Sequence, residues 1–182
     1  MHADESCLGN GMEPPNPGGA ACLIESRSPR GGVIRRDLWI SSPDTTNNRM
    51  ALAGAIECLT QLARKGRRLP VRYVSDSQYL VKGMREWITG WEARGWRRKG
   101  GAIENLEQWR ELQRANARLD VRWEWVRGHA GHPKNEYANW LAIRAATEQT
   151  RSNGLEESSL PTWLADERGR GRYQEFDPDA EL

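Results

Sequence analysis

A chain of 182 residues with 37% hydrophobic side chains and nine tryptophans holds enough apolar material for one packed core plus tails. A mean hydropathy of −0.82, no run near the ~20 apolar residues that span a bilayer and no basic-then-apolar leader predict a cytoplasmic protein with no membrane partner. The net charge of +2 is uneven: residues 151–182 carry eight acidic against four basic side chains, which leaves 23 basic against 17 acidic in the first 150 and suits a phosphate-rich partner.

The chain opens with a short strand around Asp4 and then a Gly- and Pro-rich loop, GMEPPNPGG at 11–19. Apolar runs at Ala20–Glu25 and Val33–Ile40, separated by the Gly31-Gly32 turn, predict two more strands next to the first. Thr45-Thr46-Asn47-Asn48 offers N-cap chemistry to a helix marked by Met50, Leu52, Ala55, Ile56, Leu59 and Leu62, which runs to about Lys65 and stops at Gly66.

A strand follows at Val71–Val74, then helical spacing from Ser77 through Ile88, a helix over Leu106–Asn116, a strand over Val121–Val126 and a helix over Asn135–Glu148. His132 and Pro133 begin that last helix. Five strands interleaved with helices describe a mixed α/β sheet with helices packed on it, in one domain of residues 1–149. Residues 150–182 are acidic and aperiodic, with isolated Trp163, Tyr173 and Phe176, and are expected to be disordered or loosely docked. Cys7, Cys22 and Cys58 are odd in number and lack C-x-x-C spacing, so reduced thiols are expected.

Four stretches carry a resemblance: DESCLGN at 4–10, TTNNRMAL at 45–52, SDSQY at 75–79 and WEWVRGHAGHPKNEYANWLA at 123–142. In this order and spacing the chain resembles type 1 ribonuclease H of the bacterial family over about 145 residues. The resemblance implies a mixed five-stranded sheet flanked by helices, a monomer, an RNA/DNA hybrid as partner, and Mg²⁺ or Mn²⁺ as cofactor. Phosphodiester hydrolysis needs an activated water and a stabilised leaving oxygen; two metal ions about 3.5–4 Å apart supply both, and hard cations call for clustered carboxylates.

In relatives the four metal ligands lie on the first strand, the first helix, the end of the fourth strand and the last helix. Asp4 and Asp76 match two of them; Ala51 stands where relatives carry Glu, and Asn139 where they carry Asp. A neutral Asn139 still offers a carbonyl oxygen to a metal, whereas Ala51 offers nothing. Glu5 is the candidate replacement, but strand alternation aims it at the opposite face from Asp4 unless a bulge redirects it. Glu57 lies about 240° around the helix from Ala51 and is a poor substitute.

By the same resemblance Glu136, three residues before Asn139, belongs near the metals without binding them, and His129 assists proton movement or product release. Cys7, Asn10, Asn47 and Gln78 match positions that touch the minor groove of the hybrid, where 2′-hydroxyls mark RNA, and Thr46 matches a position near a DNA phosphate. Trp87, Trp91 and the Arg97-Arg98-Lys99 run match a basic handle that grips the duplex; Trp87 and Trp91 also fit core roles. Only three residues precede Asp4. A first strand of three or four residues would leave its neighbours unpaired, so either translation starts upstream or the protein is less stable than its relatives.

The implied activity is metal-dependent hydrolysis of the RNA strand of hybrids. The two missing carboxylates leave open a silent hybrid-binding module, or replacements introduced to trap a substrate.

Overall fold

The computed structural model describes residues 1–64, 66–128 and 131–180. Six strands form one sheet: β1 (His2–Cys7), β2 (Gly18–Arg27), β3 (Val33–Ser42), β4 (Pro70–Ser75), β5 (Asp120–Trp125) and β6 (Glu156–Glu157). Their order across the sheet is β5-β4-β1-β2-β3-β6, with β1 antiparallel to β2 and parallel to β4. The expected five strands are all present. The sixth, two residues from the C-terminal segment, pairs with β3.

β1 is longer than expected. Its six residues pair with β2 from His2↔Leu23 to Cys7↔Gly18, and pairing extends to the first residue, where the Val74 N–H donates to the Met1 carbonyl at 3.0 Å. The neighbours of a central strand therefore keep their ladder bonds.

The helices are α1 (Asn47–Ala63), α2 (Gln78–Lys82), α3 (Ile88–Ala93), α4 (Leu106–Asn116), α5 (Pro133–Glu148) and α6 (Leu160–Gly169); a π-helical turn, Gly83–Trp87, joins α2 to α3. Thr46 caps α1 as its sequence suggests, its hydroxyl accepting from the Arg49 N–H at 3.3 Å. Lys65 lies outside the described residues. Gly83 leaves room for the ring of Trp109, which is fully buried and donates its indole N–H to the Tyr79 hydroxyl at 3.0 Å.

Small residues at the start of β2 let helices approach both faces of the sheet. A Cβ on Gly19 would run into the backbone of α5 at Ala142 and Ala146, while one on Gly54 of α1 would lie 2.7 Å from the Ala20 Cβ. Alternation then assigns the faces of β1: Glu5 pairs with Ala20 and shares the α1 side, and Asp4 pairs with Ala21 on the α5 side.

The C-terminal segment corrects the expectation of disorder. Leu160, Trp163 and Leu164 of α6 are buried against Leu23 and Tyr137, with the Trp163 and Tyr137 rings 5.4 Å apart. Its anchors are three apolar side chains and a few polar contacts to β3, too sparse to leave a period in the sequence. Among the described residues no helix is long and apolar enough to cross a membrane. The three cysteines are free thiols, as expected.

Candidate active site

The parallel ladder between β1 and β4 ends at the pair Ala3↔Ser75. The next residues on the two strands, Asp4 and Asp76, stand side by side where the sheet parts. Asp4, Glu5 and Asp76 each place a carboxylate oxygen within 4.8 Å of the others. Glu5 is thus a member of the cluster. No bulge redirects it, since β1 stays in register with β2 through Cys7. Because the ladder has ended, side chains from opposite faces of β1 can both turn into the opening.

Ala51, 3% exposed, lies one turn before Gly54 on the side of α1 that faces β1 and β2. A longer side chain at that buried point would have to be accommodated between the helix and the sheet.

Electrostatics marks the cluster as unfinished without a cation. Burial, then the charge of Asp76, pushes the Asp4 carboxyl up to about 8, with Glu136 adding to the effect. Burial, then Asp4 and Asp76, pushes Glu5 up to about 8 against a hydrogen bond from Ser77. Both Asp4 oxygens are nonetheless held: Oδ1 accepts the Glu5 N–H at 2.7 Å and Oδ2 accepts from Asn135 Nδ2 at 3.1 Å. Three hard-oxygen ligands whose like charges crowd one another suit a divalent cation.

The other expected catalytic residues are placed as follows. Glu136 is half-buried and close enough to act on Asp4. Asn139 is half-buried one turn beyond Asn135, the residue that holds Asp4, and so shares its side of α5. His129 lies outside the described residues.

Three contributors have no signal in composition or spacing alone. Asn135, 3% exposed, orients Asp4. Trp125 donates its indole N–H to the Asp76 carbonyl at 3.0 Å. Gly128 packs so closely on the Asp76 carboxylate that any Cβ there would collide with it. All three fall inside the 123–142 motif, which marks the region but not their tasks.

The expected groove residues gather at the same edge of the sheet. The exposed Asn10 accepts the Asn47 N–H through Oδ1 at 3.1 Å, and Thr46 is exposed beside them at the start of α1. Asn47 keeps a buried Oδ1 without a hydrogen bond. Cys7 is half-buried, with its thiol 3.4 Å from the Thr45 carbonyl. Gln78 is exposed two residues after Asp76.

In the handle, Arg97, Arg98 and Lys99 are all exposed and Trp87 is half-buried. Trp91 departs from the expectation. It is 8% exposed, packed on Trp87 and Trp109, and its helical spacing places it in the core with little surface left for a duplex.

Comparison with known proteins agrees with this geometry. The family model for RNase H matches residues 1–147. Ribonuclease H of Stutzerimonas stutzeri (strain A1501) is 40% identical over 152 residues, 83% of this chain and 93% of that protein. Ribonuclease H of Pelobacter propionicus is 43% identical over 149 residues, covering 81% and 84%. Among solved structures, LC9-RNase H1, described as a type 1 RNase H with the type 2 active-site motif, is 53% identical with a TM-score of 0.85 over 90% of this chain and 79% of that one. A foamy viral protease-reverse transcriptase in complex with RNA/DNA hybrid shares the fold at 13% identity and a TM-score of 0.62. With the fold, the paired strand-end aspartates and a family match across four-fifths of its length, this chain belongs to the RNase H family.

Proposed function

We propose that the protein is an endonuclease that cleaves the RNA strand of RNA/DNA hybrids, with divalent cations held by Asp4, Glu5 and Asp76 and by the neutral oxygen of Asn139. The observation that carries this reading is Glu5 in the carboxylate cluster: the charge absent at Ala51 is supplied from the neighbouring strand residue. A silent binding module would have no use for three acids held against their own repulsion.

When bound, the cations supply a nucleophile at neutral pH and stabilise the leaving 3′ oxygen. The chain's own residues hold and orient. Asn135 and the Glu5 N–H fix both oxygens of Asp4, and Trp125 fixes the backbone of Asp76. Asn10, Asn47 and Gln78 offer donors and acceptors to the 2′-hydroxyl-bearing groove, and the exposed Arg97, Arg98 and Lys99 offer phosphate contacts beyond it.

Mg²⁺ is the proposed physiological ion, because an all-oxygen ligand set is the type it uses. Three free thiols fit a reducing cytoplasm, and a site built from one chain is compatible with a monomer. The test is cleavage of an end-labelled hybrid over a range of Mg²⁺ and Mn²⁺ concentrations, comparing wild type with Glu5→Gln. Cleavage by wild type and its loss in the variant are expected; equal turnover in both would refute the assignment of Glu5.

A further inference from the structure

Two buried carboxylates on β2 and β3 hold the start of α5; the C-terminal segment engages Asp37 directly and Glu25 through Arg35. Asp37 on β3, 1% exposed, accepts hydrogen bonds from the Tyr137 hydroxyl, from Ser158 Oγ at 2.8 Å and from the Ser159 N–H at 2.9 Å. Glu25 on β2 pairs with the Lys134 ammonium at 2.9 Å and with Arg35 Nε at 2.9 Å. Arg35 donates in turn to the Pro178 carbonyl at 3.0 Å and to the Asp179 carboxylate.

Lys134 is fully buried. Desolvating an ammonium costs more than packing an apolar side chain of similar size, so stability alone does not account for a lysine here. What the ion pair adds is a close tie, 2.9 Å, between β2 and the start of α5. Lys134 and Tyr137 interleave along α5 with Asn135, Glu136 and Asn139, so the residues that fix the helix and the residues near the carboxylate cluster belong to the same two turns. The margin is small: the Asn135–Asp4 hydrogen bond is 3.1 Å long, and a shift of about 0.5 Å would take it past the useful range.

We propose that residues 151–180 are a working part of the active site: through Asp37 and the Glu25–Arg35 pair they set the depth and rotation of α5. Lys134, Tyr137, Asp37 and Arg35 are positioning residues for Asn135 and Asn139. This rests on the hydrolase reading above and adds that the C-terminal segment serves that reaction.

The test uses the full chain carrying Tyr137→Phe, which keeps the ring against Trp163 and removes only the hydroxyl, and separately Asp179→Ala at the exposed end of the relay. Five quantities are measured: melting temperature, hybrid affinity in EDTA, kcat, the half-saturating Mg²⁺ concentration, and the NMR signal of the Asn135 side-chain amide. For Tyr137→Phe the expected result is hybrid affinity within twofold of wild type, kcat down five- to tenfold, half-saturating Mg²⁺ raised, and a displaced Asn135 signal. Asp179→Ala moves the same quantities in the same direction by less, and carries the test alone if Tyr137→Phe does not fold. A lower melting temperature with kcat, Mg²⁺ dependence and the Asn135 signal all unchanged overturns the proposal. Absence of hybrid cleavage by wild type would sink the hydrolase reading instead, while the Asn135 signal still reports on positioning.

Discussion

The indole N–H of Trp125 donates to the backbone carbonyl of Asp76 at 3.0 Å, tying the last residue of β5 to the residue just past the end of β4. Trp125 is 44% exposed, so this contact is made at the rim of the site and not in the core.

Trp125→Phe removes the donor and leaves an aromatic ring of smaller size. A single neutral hydrogen bond contributes about 1 kcal/mol, so kcat should fall about fivefold while the melting temperature drops only slightly. A fall in stability with full retention of kcat would assign the bond to the fold alone.

The proposed role of Glu5 is tested by moving the acid from β1 to α1. Glu5→Gly alone should lower hybrid cleavage by at least about 100-fold, near 2.7 kcal/mol of activation free energy. Ala51→Glu alone crowds a filled site and should destabilise by about 1–3 kcal/mol. Combined, the two should recover at least about tenfold of the missing activity, because the charge returns from the helix side. A double variant no better than Glu5→Gly would show that α1 cannot deliver a ligand in this chain.

The raised carboxyls predict a pH signature. Asp4 and Glu5 titrate near 8 in the metal-free fold and near 4 when unfolded. The folded state therefore binds more protons across that window, and the contribution of these groups to stability is full below about pH 4 and lost as pH rises through 8. A divalent cation competes with those protons, so Mg²⁺ should raise the melting temperature more at pH 8 than at pH 6, with proton release on binding at pH 7. An equal Mg²⁺ shift at both pH values would contradict the assignment.

The handle makes a salt-dependent prediction. Replacing Arg97, Arg98 and Lys99 with Ala should weaken hybrid binding and lower the slope of log K against log salt by about 0.9 for each phosphate left without its cation. An unchanged slope would reduce the run to solvated surface. Trp91→Phe, by contrast, is a core change and should act on stability, leaving the slope alone.

Much of the fold was legible because its signals are local. Helical spacing and the Thr46 cap located α1, and apolar runs located β2, β3, β4 and β5. Asp4 and Asp76 were legible as strand-end acids in recurring motifs. Glu5 was only half legible: alternation correctly gives its face, but where a ladder stops depends on the partner strand, and that is a tertiary property. The docking of α6 was hidden for the same reason. Its contacts run to Leu23, Asp37 and Tyr137, more than a hundred residues back in two of the three cases, and Trp163 looked isolated because its partners are distant in sequence. Trp91 shows the opposite ambiguity: an aromatic in a basic neighbourhood fits a duplex handle and the helix interior equally in sequence, and only its burial decides for the core.

The end of the β1–β4 ladder at Ala3↔Ser75 has a consequence for how freely this protein can vary. On the proposed assignment, two adjacent residues of β1 serve the site from opposite faces and position 51 of α1 carries no ligand. Position 51 is then constrained by volume and not by charge, since the Ala51 side chain is buried and carries no ligand atom. The constraint moves instead to β1, where slipping by a single residue would exchange the two acids between faces and dismantle the site in one step.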